Sequence, residues 1–211
     1  MNIFKALFGG RKSQADEKRT VEKDFDMLKS DGLCALKQRQ FGHAVQCFVQ
    51  ALELNADLEC RDGLSQAYIA LGDLPHAYEQ LQQIADACPD NVEVLMRIAD
   101  VCCRMNNYTA MADAMEKALL AGTSNEQVYY MYAKACHKMG DSTNAVAMLT
   151  KAIKLKDDFW AARLLRGEVL LDCGEVEEAA EDADCLCSMN GGSEDALLLK
   201  ERVQKARKQG R

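Results

Sequence analysis

Alanine recurs along this chain at a nearly constant interval. Ala44, Ala77, Ala145 and Ala179 carry the pattern, with Met111 in the middle place, and the successive separations are 33, 34, 34 and 34 residues. Four residues after each stand Phe48, Leu81, Met115, Leu149 and Ala183, and three further on Ala51, Ile84, Ala118, Ala152 and Leu186. Positions i, i+4 and i+7 share one face of an α-helix. A small, then a large, then a small or medium side chain on that face suits a helix packed closely on another. Only 2 of 211 residues are proline, so nothing stops helix for long. The pattern predicts an all-α protein built of repeated helix pairs.

The turns fall in the same phase. Gly72, Asn106, Gly140 and Gly174 sit midway through successive units, and these residue types adopt the left-handed conformation that ends a helix. Asp73, Asn107 and Asp141 follow as N-caps for a second helix. Pro75 fits the first turn there. The first unit, with Arg39 and Gln40 at this place, lacks the signal. Ser124 with Gln127 reads as a capping box opening the fourth unit.

With units starting at Phe25, Leu58, Val92, Glu126 and Trp160, the eighth position holds Gly32, Ser65, Ala99, Ala133 and Gly167. The eleventh holds Ala35, Tyr68, Cys102, Cys136 and Leu170. This resembles the tetratricopeptide repeat (TPR), a helix–turn–helix of 34 residues. The family's position-four tryptophan is replaced by Leu28, Arg61, Leu95, Tyr129 and Arg163, and its closing proline survives only as Pro89. The resemblance implies a right-handed α-α superhelix, a TPR solenoid of about five repeats at 25–57, 58–91, 92–125, 126–159 and 160–191. A segment 1–24 precedes it. Residues 192–211 would form a capping helix and basic tail, with Ala196, Leu197, Leu199 and Val203 covering the last apolar face.

The net charge of −7 is uneven. Residues 1–24 carry +2 and residues 193–211 carry +3, which leaves −12 on the body between them. An acidic body disfavours nucleic acid, whose phosphates need a basic surface. That weighs against the alternative of an RNA-binding helical-repeat protein.

The resemblance also implies that positions two, five, nine, twelve and thirteen of each repeat line a concave groove. Position five is then Lys29, Asp62, Met96, Tyr130 and Leu164. The third repeat adds Glu93, Asp100, Cys103 and Arg104; the fourth adds Gln127, Lys134, His137 and Lys138; the fifth adds Glu168, Leu171 and Asp172. Arg104, Lys134, His137 and Lys138 beside Tyr130, with Met96 and Asp100 nearby, form the candidate peptide-binding site. Cations beside an aromatic ring suit an acidic or C-terminal carboxylate segment of a protein. Lys134 and Lys138 are both expected to be exposed. The two-carboxylate clamp of chaperone-binding TPRs is matched at Lys29 and Arg97 but not at Leu33, Gly63 and Glu93, which argues against a chaperone-tail site.

The ten cysteines include no C-x-x-C pair, so neither a zinc motif nor a disulfide scaffold is expected. Cys102 and Cys136 read as small core residues. Cys103 and His137 occupy equivalent groove positions, but two ligands fall short of a metal site. No catalytic constellation or phosphate loop is present, so no enzyme activity, cofactor or metal is expected. No apolar run approaches the length of a membrane span. Ile3, Phe4, Leu7 and Phe8 fall on one helical side beside Lys5, Arg11 and Lys12, and could anchor a membrane-associated assembly factor or dock a partner. Residues 11–24 read as a linker or a helix extension. The sequence therefore points to a cytoplasmic, non-catalytic protein–protein interaction scaffold, with residues 1–12 offering a peripheral contact at a membrane.

Overall fold

The structure, a computed structural model, describes residues 14–189 and 193–209. Among these, eleven helices and no strand occur. They are α1 (Gln14–Lys37), α2 (Phe41–Leu54), α3 (Leu58–Leu71), α4 (Leu74–Ala87), α5 (Val92–Arg104), α6 (Tyr108–Leu120), α7 (Glu126–Lys138), α8 (Ser142–Leu155), α9 (Trp160–Asp172), α10 (Val176–Met189) and α11 (Glu194–Gln209). The all-α, paired-helix architecture is as the periodicity predicts. No described helix is long and apolar enough to cross a membrane. The segment Ile3, Phe4, Leu7 and Phe8 lies outside the described residues.

Of the two readings of residues 11–24, helix extension holds from Gln14 onward, because α1 already includes this Lys- and Glu-rich stretch. Such residues lose little rotamer freedom in a helix. The chain divides into two compact units, up to Ile84 and from Ala85.

In the first unit the repeat alanines Ala44 and Ala51 are fully buried beside Phe48. Phe48 needs glycine on both sides. A β-carbon on Gly63 would lie 2.4 Å from its Cζ, and one on Gly32 would lie 2.7 Å from its Cε1. Helices α1 and α3 thus meet the ring through bare backbone. The left-handed turn missing from the sequence pattern is supplied by Arg39, at φ 60°. Gly72 and, in the second unit, Asn106, Gly140 and Gly174 take the expected positive φ.

In the second unit Met111, Met115 and Ala118 of α6 are buried, as are Ala145, Leu149 and Ala152 of α8. Ala196, Leu199 and Val203 of α11 pack on Leu170, Ala179 and Leu186. Leu199 fills the space beside Gly167, where a β-carbon would lie 2.7 Å from its Cδ2. Leu197 does not join this cover; it is 54% exposed, because it stands one residue off the 196–199–203 stripe.

Two cap assignments also change. The side chain that caps α7 is Asn125, which accepts from Gln127 N at 2.9 Å, so Ser124 is not the cap. Asp57 and Asn91 cap α3 and α5 in the same way, accepting from Cys60 N and Val94 N. Asn107 and Asp141 cap α6 and α8 as their sequence positions suggest.

Candidate functional site

First helices of neighbouring repeats touch one another on a common face: α1 on α3 in the first unit, and α5 on α7 and α7 on α9 in the second. At each of these contacts the position-five side chain of the earlier helix leans on the N-cap residue of the later one. Lys29 bonds Asp57 at 3.2 Å, the Asn125 side-chain amide donates to the Met96 sulfur at 3.6 Å, and the Tyr130 ring packs on Phe159 at 5.2 Å between centroids. The contact changes from ionic to weakly polar to aromatic along the chain, but its place does not.

In the first unit this face is electrostatically closed. The Lys29 ammonium lies 2.7 Å from Glu59 and 3.2 Å from Asp57. The Glu59 contact is the main reason its pKa is raised; burial opposes it and Asp57 adds to it. Lys29 is therefore a bonded group and no free groove cation. Gly63 also removes any thought of the clamp's asparagine there, since Phe48 occupies the space.

The second unit differs. Arg104 and Lys138 are exposed, at the C-terminal ends of α5 and α7, and neither makes an ion pair among the described residues. Lys134 is half-buried, which corrects the expectation of exposure. It lies against α5, where its ammonium meets the Cys103 thiol. Burial works against the charge, but Cys103, Tyr130 and Tyr108 together outweigh it and the pKa is raised. His137 is half-buried too, and its Nδ1 is enclosed without a hydrogen-bond partner. Met96 and Tyr130 are half-buried and Asp100 is exposed.

No cation stacks on Tyr130; among the described residues the cation–ring contacts are Lys29 on Phe25 and Lys156 on Phe159. Further along, Arg202 of α11 reaches Asp172 at 3.2 Å and Glu168 at 3.9 Å, so the carboxylates of α9 are already partnered. A cavity of about 400 Å³ among Asp86, Leu95, Lys117 and Leu120 includes none of these site residues.

The cysteines are all free thiols. Burial pushes Cys60 up to about 12 and Cys102 up to about 11, which keeps them protonated and unreactive. Cys102 and Cys136 are core residues, buried on equivalent turns of α5 and α7. No group of three His, Cys, Asp or Glu among the described residues could hold a metal ion.

A buried ionic network stands apart from this face. Asp182 of α10 is 1% exposed and is gripped by Arg166 of α9, which also donates to Thr150 of α8. Arg163, at the position where the repeat family carries tryptophan, adds a contact of 3.7 Å to the same carboxylate. Arg61, the other such departure, donates to Gln80 at 3.1 Å. In both repeats an arginine replaces aromatic packing with a polar contact to the second helix of its own pair, a hydrogen bond for Arg61 and an ionic contact for Arg163, whose hydrogen bonds go to Asp157. The available signal in the sequence was the departure from the family pattern at Arg61 and Arg163.

Residues 126–159 match the family model described as tetratricopeptide repeat. The Homo sapiens protein DnaJ homolog subfamily C member 3 is 30% identical over 162 residues, which is 74% of this chain and 25% of that relative. Its Bos taurus counterpart is 33% identical over 129 residues, 61% of this chain and 19% of the relative. The chain thus spans about a quarter or less (25% and 19%) of the curated relatives it matches. Among solved structures, MamA superposes with a TM-score of 0.72 and 19% identity, over 87% of this chain and 96% of that one. YrrB, described as a TPR protein with an unusual peptide-binding site, superposes with a TM-score of 0.65 and 21% identity, over 78% of this chain and 86% of its own. At such identities the likeness is one of fold. Helix pairs in a 34-residue phase, with small residues at their crossings and these relatives, make the chain a tetratricopeptide-repeat protein.

Proposed function

We propose that the chain is a non-catalytic protein-interaction module, and that the common face of α5, α7 and α9 holds an acidic segment of a partner protein. The observation that carries this reading is the state of Arg104 and Lys138. Both are exposed on that face without an acidic partner among the described residues, although the body of the chain is acidic. Cations at the corresponding face elsewhere, Lys29 and Arg202, are already neutralised. An unpaired charge pair on a face built from packed helices is free to meet an incoming carboxylate, and such complementarity sets partner choice and encounter rate. The peptide-binding description of YrrB is consistent with this use of the fold, and says nothing of which peptide binds here.

The test is affinity capture with the wild-type chain and with an Arg104→Glu, Lys138→Glu double variant. Both sites are exposed, so the fold should survive the change. Proteins carrying acidic segments should be retained by the wild type and lost from the variant. A Lys151→Glu variant, altered on an exposed position of α8, should retain them. Recovery of the same partners by the double variant sinks the proposal.

A further inference from the structure

The position-five row changes character between the two units. In the first it is ionic: Lys29 is tied to Asp57 and Glu59, and Asp62 accepts from Gln66 at 2.7 Å. In the second it is apolar throughout: Met96 on α5, Tyr130 on α7 and Leu164 on α9, all half-buried. Each of these three is held from behind. Met96 receives the Asn125 amide, Tyr130 lies on Phe159, and Leu164 packs against the cluster of Leu170 and Ala179. Their partial exposure is thus built into the framework. Three apolar side chains stand at the same level on three neighbouring helices. Two to three turns further along those helices, at the C-terminal ends of α5 and α7, stand the unpaired cations Arg104 and Lys138.

We infer that the occupant of this face is an extended acidic peptide segment with an apolar side chain at about every third residue. This rests on the functional reading above and narrows it. Directly packed helices lie about 8–10 Å apart, and a chain extended in the polyproline II conformation advances about 3.1 Å per residue with three residues per turn, so one helix step corresponds to about three residues and brings the side chain back to the same face. A segment crossing α5, α7 and α9 therefore sets residues i, i+3 and i+6 over Met96, Tyr130 and Leu164. A helical occupant advances only about 1.5 Å per residue and would need about five to seven residues per step. Acidic residues between the apolar ones turn toward Arg104 and Lys138. In the second unit the row ends beside Leu164, where Arg202 bridges to Glu168 and Asp172, and the equivalent positions of the first unit, Lys29 and Asp62, are charged. The apolar requirement is accordingly short, and a segment of about seven residues satisfies it.

The test is fluorescence anisotropy with labelled synthetic peptides and the full chain. One peptide carries leucine at every third place with glutamate between. A second has the same composition with the leucines adjacent, and a third, long enough to be helical, has leucine at every seventh place. A fourth keeps the first spacing with glutamine in place of glutamate. The first should bind about tenfold more tightly than the second and third. In the Met96→Glu variant, checked for unchanged helix content by circular dichroism, that preference should disappear. Equal binding of the first two peptides overturns the spacing inference and leaves the charge reading standing. Tighter binding of the third overturns it in favour of a helical occupant. If the glutamine peptide binds as tightly as the first and keeps the preference over adjacent leucines, the spacing holds and the acidic reading fails. Because the peptide arms need no protein variant, instability of Met96→Glu would not remove the test.

Discussion

Arg166 holds the carboxylate of Asp182 through two hydrogen bonds, Nε to Oδ2 at 2.8 Å and Nη2 to Oδ1 at 2.6 Å. The bond crosses from α9 to α10 where Asp182 has no access to water. Removing one partner of such a pair strands the other, which typically costs about 3–5 kcal/mol. Asp182→Ala should therefore destabilise the second unit by that order, and Asp182→Asn by somewhat less. An Arg166→Met, Asp182→Leu double variant should be less destabilised than Asp182→Ala alone, since no charge is left stranded. Chemical denaturation of the wild type, Arg166→Met, Asp182→Leu and the double variant checks this as a thermodynamic cycle. Additive losses would show that the two residues do not act as a pair.

Phe48 gives a second, opposite pair of glycine tests. A methyl group on Gly63 meets the ring at 2.4 Å, and the ring cannot retreat because Gly32 backs it at 2.7 Å. Gly63→Ala should destabilise by about 1–3 kcal/mol, the usual cost of overpacking. Gly42, on α2 and exposed, has nothing within 4 Å of its would-be β-carbon. Gly42→Ala should be neutral or stabilising by up to about 1 kcal/mol, from the smaller backbone entropy lost on folding. Thermal denaturation distinguishes them, and a harmless Gly63→Ala would mean the ring has room to move.

These packing details mark the boundary of what the sequence displays. The 34-residue phase is legible because each crossing demands a small side chain, and Ala44, Ala77, Ala145 and Ala179 supply it. Gly140 and Gly174 announce their turns for the same local reason. Arg39 does not, because a non-glycine residue in the left-handed region is held there by the surrounding chain and carries no mark of its own. Asn125 was hidden by Ser124, an equally good cap one residue earlier. Lys134 read as exposed because lysine usually is, and only its packing beside Cys103 on α5, the first helix of the preceding repeat, makes it half-buried. The candidate cluster was thus found by residue type. Its separation into free cations (Arg104, Lys138), an engaged one (Lys134) and an enclosed imidazole (His137) depends on neighbouring helices.

The first unit should respond to pH on both sides. Burial disfavours the charged Asp57, but the Cys60 N–H and Lys29 outweigh it and hold the carboxyl below its usual 3.8. A depressed carboxylate contributes stability that is present above the unfolded pKa and is lost as pH falls through the folded one. Lys29, raised above 10.5 chiefly by Glu59, contributes stability that is complete below the unfolded pKa and is lost as pH rises through the folded one. Protection of α1 and α3 from hydrogen exchange, corrected for the intrinsic pH dependence of exchange, should then weaken below about pH 4 and above about pH 10.5. Asp57→Asn, which keeps a cap but no charge, should flatten the acid limb and reduce the alkaline one. An unchanged acid limb would show that Asp57 is not the group responsible.

The last prediction separates the members of the cationic cluster. Arg104 and Lys138 are exposed and unpaired, whereas Lys134 is half-buried against Cys103. Reversing either of the first two changes the field of the face and little else, so stability should move by no more than about 0.5 kcal/mol. Lys134→Glu places a carboxylate in a half-buried position against a thiol, and should lower stability by more than either. Binding should divide differently. Each of Arg104→Glu and Lys138→Glu should weaken capture of an acidic peptide and make the remaining affinity less sensitive to salt, because the attraction lost was a screened one. Lys134→Met, which keeps the stem and loses the charge, should weaken binding less than either, since Lys134 is half-buried while Arg104 and Lys138 are exposed. Anisotropy titrations at low and high salt, alongside denaturation curves, measure both quantities. If Lys134→Met proves the most damaging to affinity while the exposed reversals are silent, the peptide's carboxylates sit deeper between α5 and α7 than the free cations imply, and Cys103 must give way to admit them.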